Sequence, residues 1–129
     1  MAIEFWSIAV LALLLLAITA VQGSLVPATQ GLAWGLGSRD DPREKSALQK
    51  RFDRTVQNHI EAMLMYIPPM GLVLWLGRTD TSTEIAAWLI MVGRVTFIPC
   101  YLLGIFGLRS VAYALSMIGI FLTFWALLF

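Results

Sequence analysis

Residues 110–129 read SVAYALSMIGIFLTFWALLF, twenty consecutive positions without a charge. An α-helix rises about 1.5 Å per residue, so a run of this length covers the roughly 30 Å of hydrocarbon in a bilayer. The pattern recurs towards the N-terminus. Ile85–Gly104 is apolar but for a few polar side chains and one charge, Arg94; Ala62–Gly77 is a shorter apolar stretch; Phe5–Val21 is broken only by Ser7 and Thr19, and its apolar character extends to Val26. Of the 129 residues 59% are hydrophobic and only 13% charged, and no charge lies between Glu4 and Arg39 or beyond Arg109. A soluble domain of this size needs more charge to cover its surface. The chain therefore reads as an all-α integral membrane protein, an up-down bundle of four transmembrane helices. It forms a single domain over residues 1–129, with spans at about 5–26, 52–77, 85–104 and 110–129. The second span is short on its apolar residues alone, so its helix begins earlier, near Arg51, outside the hydrocarbon.

Composition also excludes several functions. A net charge of +1 leaves no basic stripe for nucleic acid. Cys100 is the single cysteine and His59 the single histidine, so no disulfide forms within the chain and no zinc-type cluster exists; no metal site is expected. The leading stretch Met1–Phe5 has no basic residue, carries Glu4, and is followed by no Ala-x-Ala site, which identifies the first segment as a retained span rather than a cleaved signal peptide.

Orientation follows from the cations. Arg39, Arg43, Lys45, Lys50, Arg51 and Arg54, six of the nine basic residues, lie in or beside the loop at about 27–50, whereas the connection between spans two and three holds only Arg78. The positive-inside rule places that loop in the cytoplasm and both termini on the non-cytoplasmic side. Four alternating spans then bring Trp6, Trp75, Trp88 and Trp125 to the outer interface, where the amphipathic indole is favoured. The loop itself reads as a solvated connector of turn-forming residues and nearly cancelling charges. The lack of an organelle signal inclines the location towards a bacterial inner membrane.

Ionisable groups inside spans are costly, about 2.5–3.5 kcal/mol each on insertion scales, and normally face a bundle interior. Arg54, Asn58 and Glu61 are spaced i, i+4, i+7 and share one helical stripe. Arg94 and Tyr101 are seven apart on span three, and Arg109, Ser110 and Tyr113 open span four. Helix alternation puts Arg54, Asn58, Tyr101, Arg109 and Tyr113 in the cytoplasmic half, with Glu61 and Arg94 meeting nearer the midplane as a neutralising pair. His59 neighbours the stripe without sharing it and reads as a packing or interfacial residue. Two guanidinium groups, an amide, a carboxylate and two phenols suit a small zwitterion bearing several carboxylates, beside a lipophilic second ligand. A thiol near Arg109 would have its ionised form favoured.

The run Arg54-Thr55-Val56-Gln57-Asn58-His59-Ile60-Glu61 resembles the R-x-x-x-N-x-x-E signature opening span two in the MAPEG family, the membrane-associated proteins of eicosanoid and glutathione metabolism. Gly93-Arg94-Val95 with Tyr101 resembles its third span, and Leu108-Arg109-Ser110-Val111-Ala112-Tyr113 is similar to the start of span four in its prostaglandin synthase. Together the motifs cover roughly residues 50–115, in the family's order, and a small bacterial-type member is the form they suggest. The resemblance implies a homotrimer of four-helix protomers with glutathione between subunits. It implies that Arg54, Asn58 and Glu61 hold the polar ends of the tripeptide, that Tyr101 and Tyr113 close over it, and that Arg109 stabilises the thiolate with Ser110 hydrogen-bonding to it. A lipophilic electrophile would arrive from the bilayer.

The pattern departs from the family at Gln57, where many catalytic members carry arginine, and at Phe97, where the prostaglandin synthase has histidine. Val21–Gly37 and Leu102–Leu108 also lack basic residues that several members place there. Two readings on this fold result. One is a glutathione-dependent transferase or peroxidase acting on lipophilic electrophiles or lipid hydroperoxides, with Arg109 and Ser110 catalytic. The other is a non-catalytic scaffold or lipid-binding protein, a subunit of a larger membrane complex. A third reading, a small transporter or channel subunit gated by Glu61 and Arg94, requires a continuous water path that a packed trimeric bundle lacks.

Overall fold

The computed structural model describes residues 2–129 and is a bundle of α-helices. Helix α1 spans Ile3–Gln30, α2 Leu32–Leu36, α3 Ala47–Trp75, α4 Thr81–Leu102 and α5 Leu108–Leu128. Helices α1, α4 and α5 are long and apolar enough to cross a membrane. Leu13, Leu16, Phe121 and Trp125 are among the large apolar side chains pointing outward, as a lipid-facing surface requires. The protein is an integral membrane, all-α bundle. Helix α3 has the length for the same crossing, but Lys50, Arg51, Asp53, Arg54 and Glu61 make its first half polar. At about 1.5 Å per residue it reaches some 43 Å, well beyond the hydrocarbon thickness, so its first two turns stand outside the apolar layer.

Local sequence sets the helix ends. Ser46 caps α3: its hydroxyl accepts from the Gln49 backbone N–H while the Gln49 side chain accepts from the Ser46 backbone N–H. Asp80 does the same for α4, accepting from Ser82 and Thr83 backbone N–H groups. The start of α3 thus lies several residues before Arg51. Helices α3 and α4 run through Pro68-Pro69 and Pro99.

Between helices in lipid, association rests on close packing rather than on a hydrophobic drive. Small residues supply it at the α4–α5 seam. A Cβ placed on Gly93 would meet the Ser116 hydroxyl and lie 2.8 Å from the Ala112 carbonyl oxygen; one on Gly119 would lie 2.8 Å from the Ala86 carbonyl oxygen. Two apolar clusters fill the bundle. One contains Leu11, Tyr66, Met70, Ile90 and Ile120; the other, nearer the α1–α3 loop, contains Ile18, Phe52, Val56, Phe97 and Ala112. A buried polar layer separates them.

The connection read as a solvated loop is folded. Helix α1 continues through Pro27 to Gln30, and α2 adds a turn beyond it. Gln30 is buried; its Nε2 donates to the Arg43 and Glu44 carbonyls, and its Oε1 accepts from Gln49 Nε2. Arg43 donates to the Gln30 carbonyl, and Trp34 Nε1 donates to the Asp41 carbonyl at 2.6 Å. The sequence shows turn formers here, but not that Gln30 and Trp34 supply the bonds that fix them.

Candidate functional site

The loop-side half of α3 carries Arg54, Gln57, Asn58 and Glu61 along one edge. Arg54, Gln57 and Glu61 are exposed and Asn58 is half-buried. Across from them α4 presents Phe97 and Tyr101. The two helices bound a cleft of about 390 Å³ lined by Asp53, Arg54, Gln57, Asn58, Glu61, Phe97 and Tyr101, a size suited to a small molecule. Gln57 Nε2 donates to Glu61 Oε1 at 3.1 Å, holding the carboxylate at the rim. No protein acceptor engages the Arg54 guanidinium among the described residues, so its donors remain open to a ligand anion.

Behind the cleft lies the buried polar layer. Arg94 is wholly buried; its Nη1 donates to Asn58 Oδ1 at 2.8 Å, and its Nε donates to His59 Nδ1 at 3.2 Å. Arginine can only donate, so His59 Nδ1 must offer its lone pair and the proton sits on Nε2, which donates to the Leu11 carbonyl at 2.9 Å. The same logic fixes the Asn58 amide: its oxygen faces Arg94, and its two N–H donors are left for the cleft. The Arg94 guanidinium also stacks 4.5 Å from the Phe97 ring centroid, while its Nη2 has no partner among the described residues.

This corrects the expected pairing of Glu61 with Arg94. Among the described residues the only ion pair is Lys45–Asp53. Glu61 sits three residues beyond Asn58, about 60° round the helix and about 4.5 Å further along it, on the exposed edge, and Asn58 intercepts the guanidinium first. His59, read as a packing residue, is instead a hydrogen-bonded member of the layer. The available signal was its position one residue from Asn58, on the side of α3 that meets α1.

Of the residues expected at the site, Arg54, Asn58, Glu61 and Tyr101 converge on the cleft. Arg109 does not line it; its guanidinium stacks 5.5 Å from the centroid of Tyr101, which does. Tyr113 stands behind the wall, 6.3 Å between ring centroids from Phe97, with Phe97 and Tyr101 themselves 5.5 Å apart. Ser110 is exposed and away from the cleft within one chain. Asp53, in the turns outside the apolar layer, borders the cleft. Partial burial alone raises its pKa, but hydrogen bonds from Lys45 and Gln22, with the Lys45 charge, outweigh that and hold the carboxyl below its usual range. The described residues contain no cluster of His, Cys, Asp and Glu able to hold a metal ion.

A family profile matches residues 3–129, nearly the whole chain. The chain belongs to the MAPEG family. Membership over nearly the whole chain agrees with activity as a membrane enzyme of lipid or eicosanoid metabolism. No curated protein and no solved structure matches the chain significantly.

Proposed function

We propose that the protein is a glutathione-dependent transferase or peroxidase acting on lipophilic electrophiles or lipid hydroperoxides. The observation that carries this reading is the donor set of the α3–α4 cleft. An unpaired Arg54 guanidinium and the Asn58 amide suit carboxylates, the Glu61 carboxylate suits an ammonium group, and Tyr101 offers a phenol. That set fits a zwitterionic peptide with two carboxylates and one amine. When bound, the tripeptide's thiol supplies the nucleophile or reductant.

The residues of this chain have separable roles in the proposal. Arg54 and Asn58 bind and orient one end of the peptide, and Glu61 the other, steadied by Gln57. Arg94, buried and charged, fixes the Asn58 amide so that its N–H groups face the ligand. Arg109 favours a thiolate through its positive charge, with Ser110 as a further hydrogen-bond donor and Tyr113 as a closing wall. The apolar outer walls admit the lipophilic partner from the bilayer.

Oligomerisation completes the reading. One chain leaves Arg54, Gln57 and Glu61 on an outward helix face, and Glu61, about two turns deeper than Arg54, would there carry its charge into lipid at about 2.5–3.5 kcal/mol on insertion scales. A homotrimer of four-span, single-domain protomers covers that face and brings a neighbour's Arg109 and Ser110 to it. The excess of basic residues beside the α1–α3 connection puts the cleft on the cytoplasmic side.

A specific observation favours the second reading, a non-catalytic lipid-binding or scaffold protein: Ser110 and Arg109 do not line the cleft formed by their own chain. The test is ultraviolet difference absorbance of glutathione thiolate on the purified protein, with Arg109→Ala alongside. A saturable thiolate signal, lost in the variant while the oligomer persists, supports the enzyme. Saturable binding with no thiolate signal supports the second reading.

A further inference from the structure

On the other side of Asp53, between α1 and the folded connection, lies a second cleft of about 450 Å³. One wall is the α1 surface at Thr19, Gly23 and Val26; the opposite end is formed by Trp34, Arg39 and Lys45. Helix α1 passes here from lipid-facing to polar surroundings, so the cleft has a mixed wall of Thr19, Gln22, Gly23 and Val26 next to the lipid-facing stretch of α1 and two cations, Arg39 and Lys45, at its other end.

The charges are unevenly satisfied. Asp53, the acidic group lining the cleft, is fully engaged: its Oδ1 accepts from Gln22 Nε2 at 2.7 Å and its Oδ2 from Lys45 Nζ at 2.5 Å. Among the described residues Arg39 has no carboxylate partner. Its Nε and Nη2 donate to the Gly35 carbonyl at 3.0 and 2.8 Å, which leaves Nη1 unbound. The backbone of Arg39 has φ +59°, a left-handed conformation that glycine or asparagine occupies more readily, yet an arginine stands there. The Trp34 face is already taken by the Arg39 and Arg43 guanidinium groups, 5.9 and 5.5 Å from its centroid. At the α1 wall a Cβ on Gly23 would meet nothing within 4 Å.

We propose that this cleft holds one anionic phospholipid of the loop-side leaflet, its phosphate on Arg39 Nη1 and the remaining Lys45 hydrogens, and an acyl chain along Thr19, Gly23 and Val26. A net cation with free donors selects a phosphate. The α1 wall, which runs on from Thr19 to the exposed Leu16 one turn away, distinguishes a lipid from a free anion. A zwitterionic lipid is disfavoured because the one carboxylate among the lining residues, Asp53, already pairs with Lys45 and accepts from Gln22, and the Trp34 ring carries two guanidinium groups.

Native mass spectrometry of the protein, released from bilayers of equal phosphatidylglycerol and phosphatidylcholine, tests this directly. One phosphatidylglycerol per chain is retained in preference to phosphatidylcholine, and millimolar inorganic phosphate does not displace it. Lys50→Gln, which removes an exposed charge outside the cleft, leaves retention unchanged. Arg39→Asn, whose side chain tolerates the left-handed backbone, lowers retention about tenfold, the equivalent of one charge-assisted hydrogen bond. Gly23→Leu, which fills the groove without touching the cations, lowers it as well and serves if the Arg39 variant does not fold. Equal retention of both lipids, an equal loss in Lys50→Gln, or displacement by inorganic phosphate overturns the proposal.

Discussion

Arg94 offers a measurable test of how the bundle holds a buried charge. Replacing Asn58 by leucine removes the acceptor 2.8 Å from Arg94 Nη1. The guanidinium is then left with one neutral acceptor, His59 Nδ1, and the Phe97 ring. A hydrogen bond to a charged group is worth about 1.5–3 kcal/mol, and measured values within membrane bundles fall at the low end, so Asn58→Leu should destabilise the protein by roughly 1.5 kcal/mol. With Arg94 already replaced by methionine, the same change should cost little, because no charge remains to be satisfied. A double-mutant cycle followed by reversible unfolding in mixed micelles should therefore return a coupling energy near 1.5 kcal/mol for Asn58 and Arg94. The parallel cycle of Glu61→Gln with Arg94→Met should be additive within about 0.5 kcal/mol, since those side chains do not meet. Strong coupling of Glu61 to Arg94, with none for Asn58, would refute the arrangement of the polar layer.

Three further outcomes follow from the packing and caps. Gly93→Ala forces α4 and α5 apart at the Ala112 carbonyl and should cost about 1–3 kcal/mol in thermal or denaturant unfolding; unchanged stability would mean that the seam is looser than described. Glu4 is buried with its Oε1 2.7 Å from the Thr83 hydroxyl. Thr83→Val should therefore cost about 1–3 kcal/mol while Thr83→Ser is tolerated, and equal losses would remove the hydroxyl from the account. The Asp53 carboxyl has a lowered pKa in the folded protein, so its contribution is present above the unfolded value near 4 and is lost as pH falls through the folded value. The difference in melting temperature between wild type and Asp53→Asn should accordingly shrink from pH 7 to pH 3, and a difference that grows on acidification would contradict the Lys45 and Gln22 contacts.

Much of the bundle was legible because lipid solvent imposes a strong rule: long charge-free runs must be helices. Spacing on a single helix was equally readable, so Arg54, Asn58 and Glu61 fall on one edge as their i, i+4, i+7 pattern requires. Which side chain crosses to a neighbouring helix was not. A difference of three residues rotates Glu61 out of reach and brings Asn58 to Arg94, and that depends on how α3 is turned against α4. The Glu4, Ser7, Tyr66 and Thr83 cluster escaped notice for the same reason, since its members lie up to 79 positions apart. The folded connection was hidden because a glutamine and a tryptophan among turn formers carry no pattern of their own.

Recognition of a zwitterionic thiol peptide by the α3–α4 cleft, as proposed, runs through Arg54, Asn58 and Glu61. Calorimetric titration of glutathione into the detergent-solubilised protein, beside the same titration of Arg54→Ala, should show saturable binding of about one tripeptide per chain, weakened about tenfold or more in the variant by loss of a charge-assisted contact. Absence of binding at millimolar glutathione, or binding indifferent to Arg54, would contradict it.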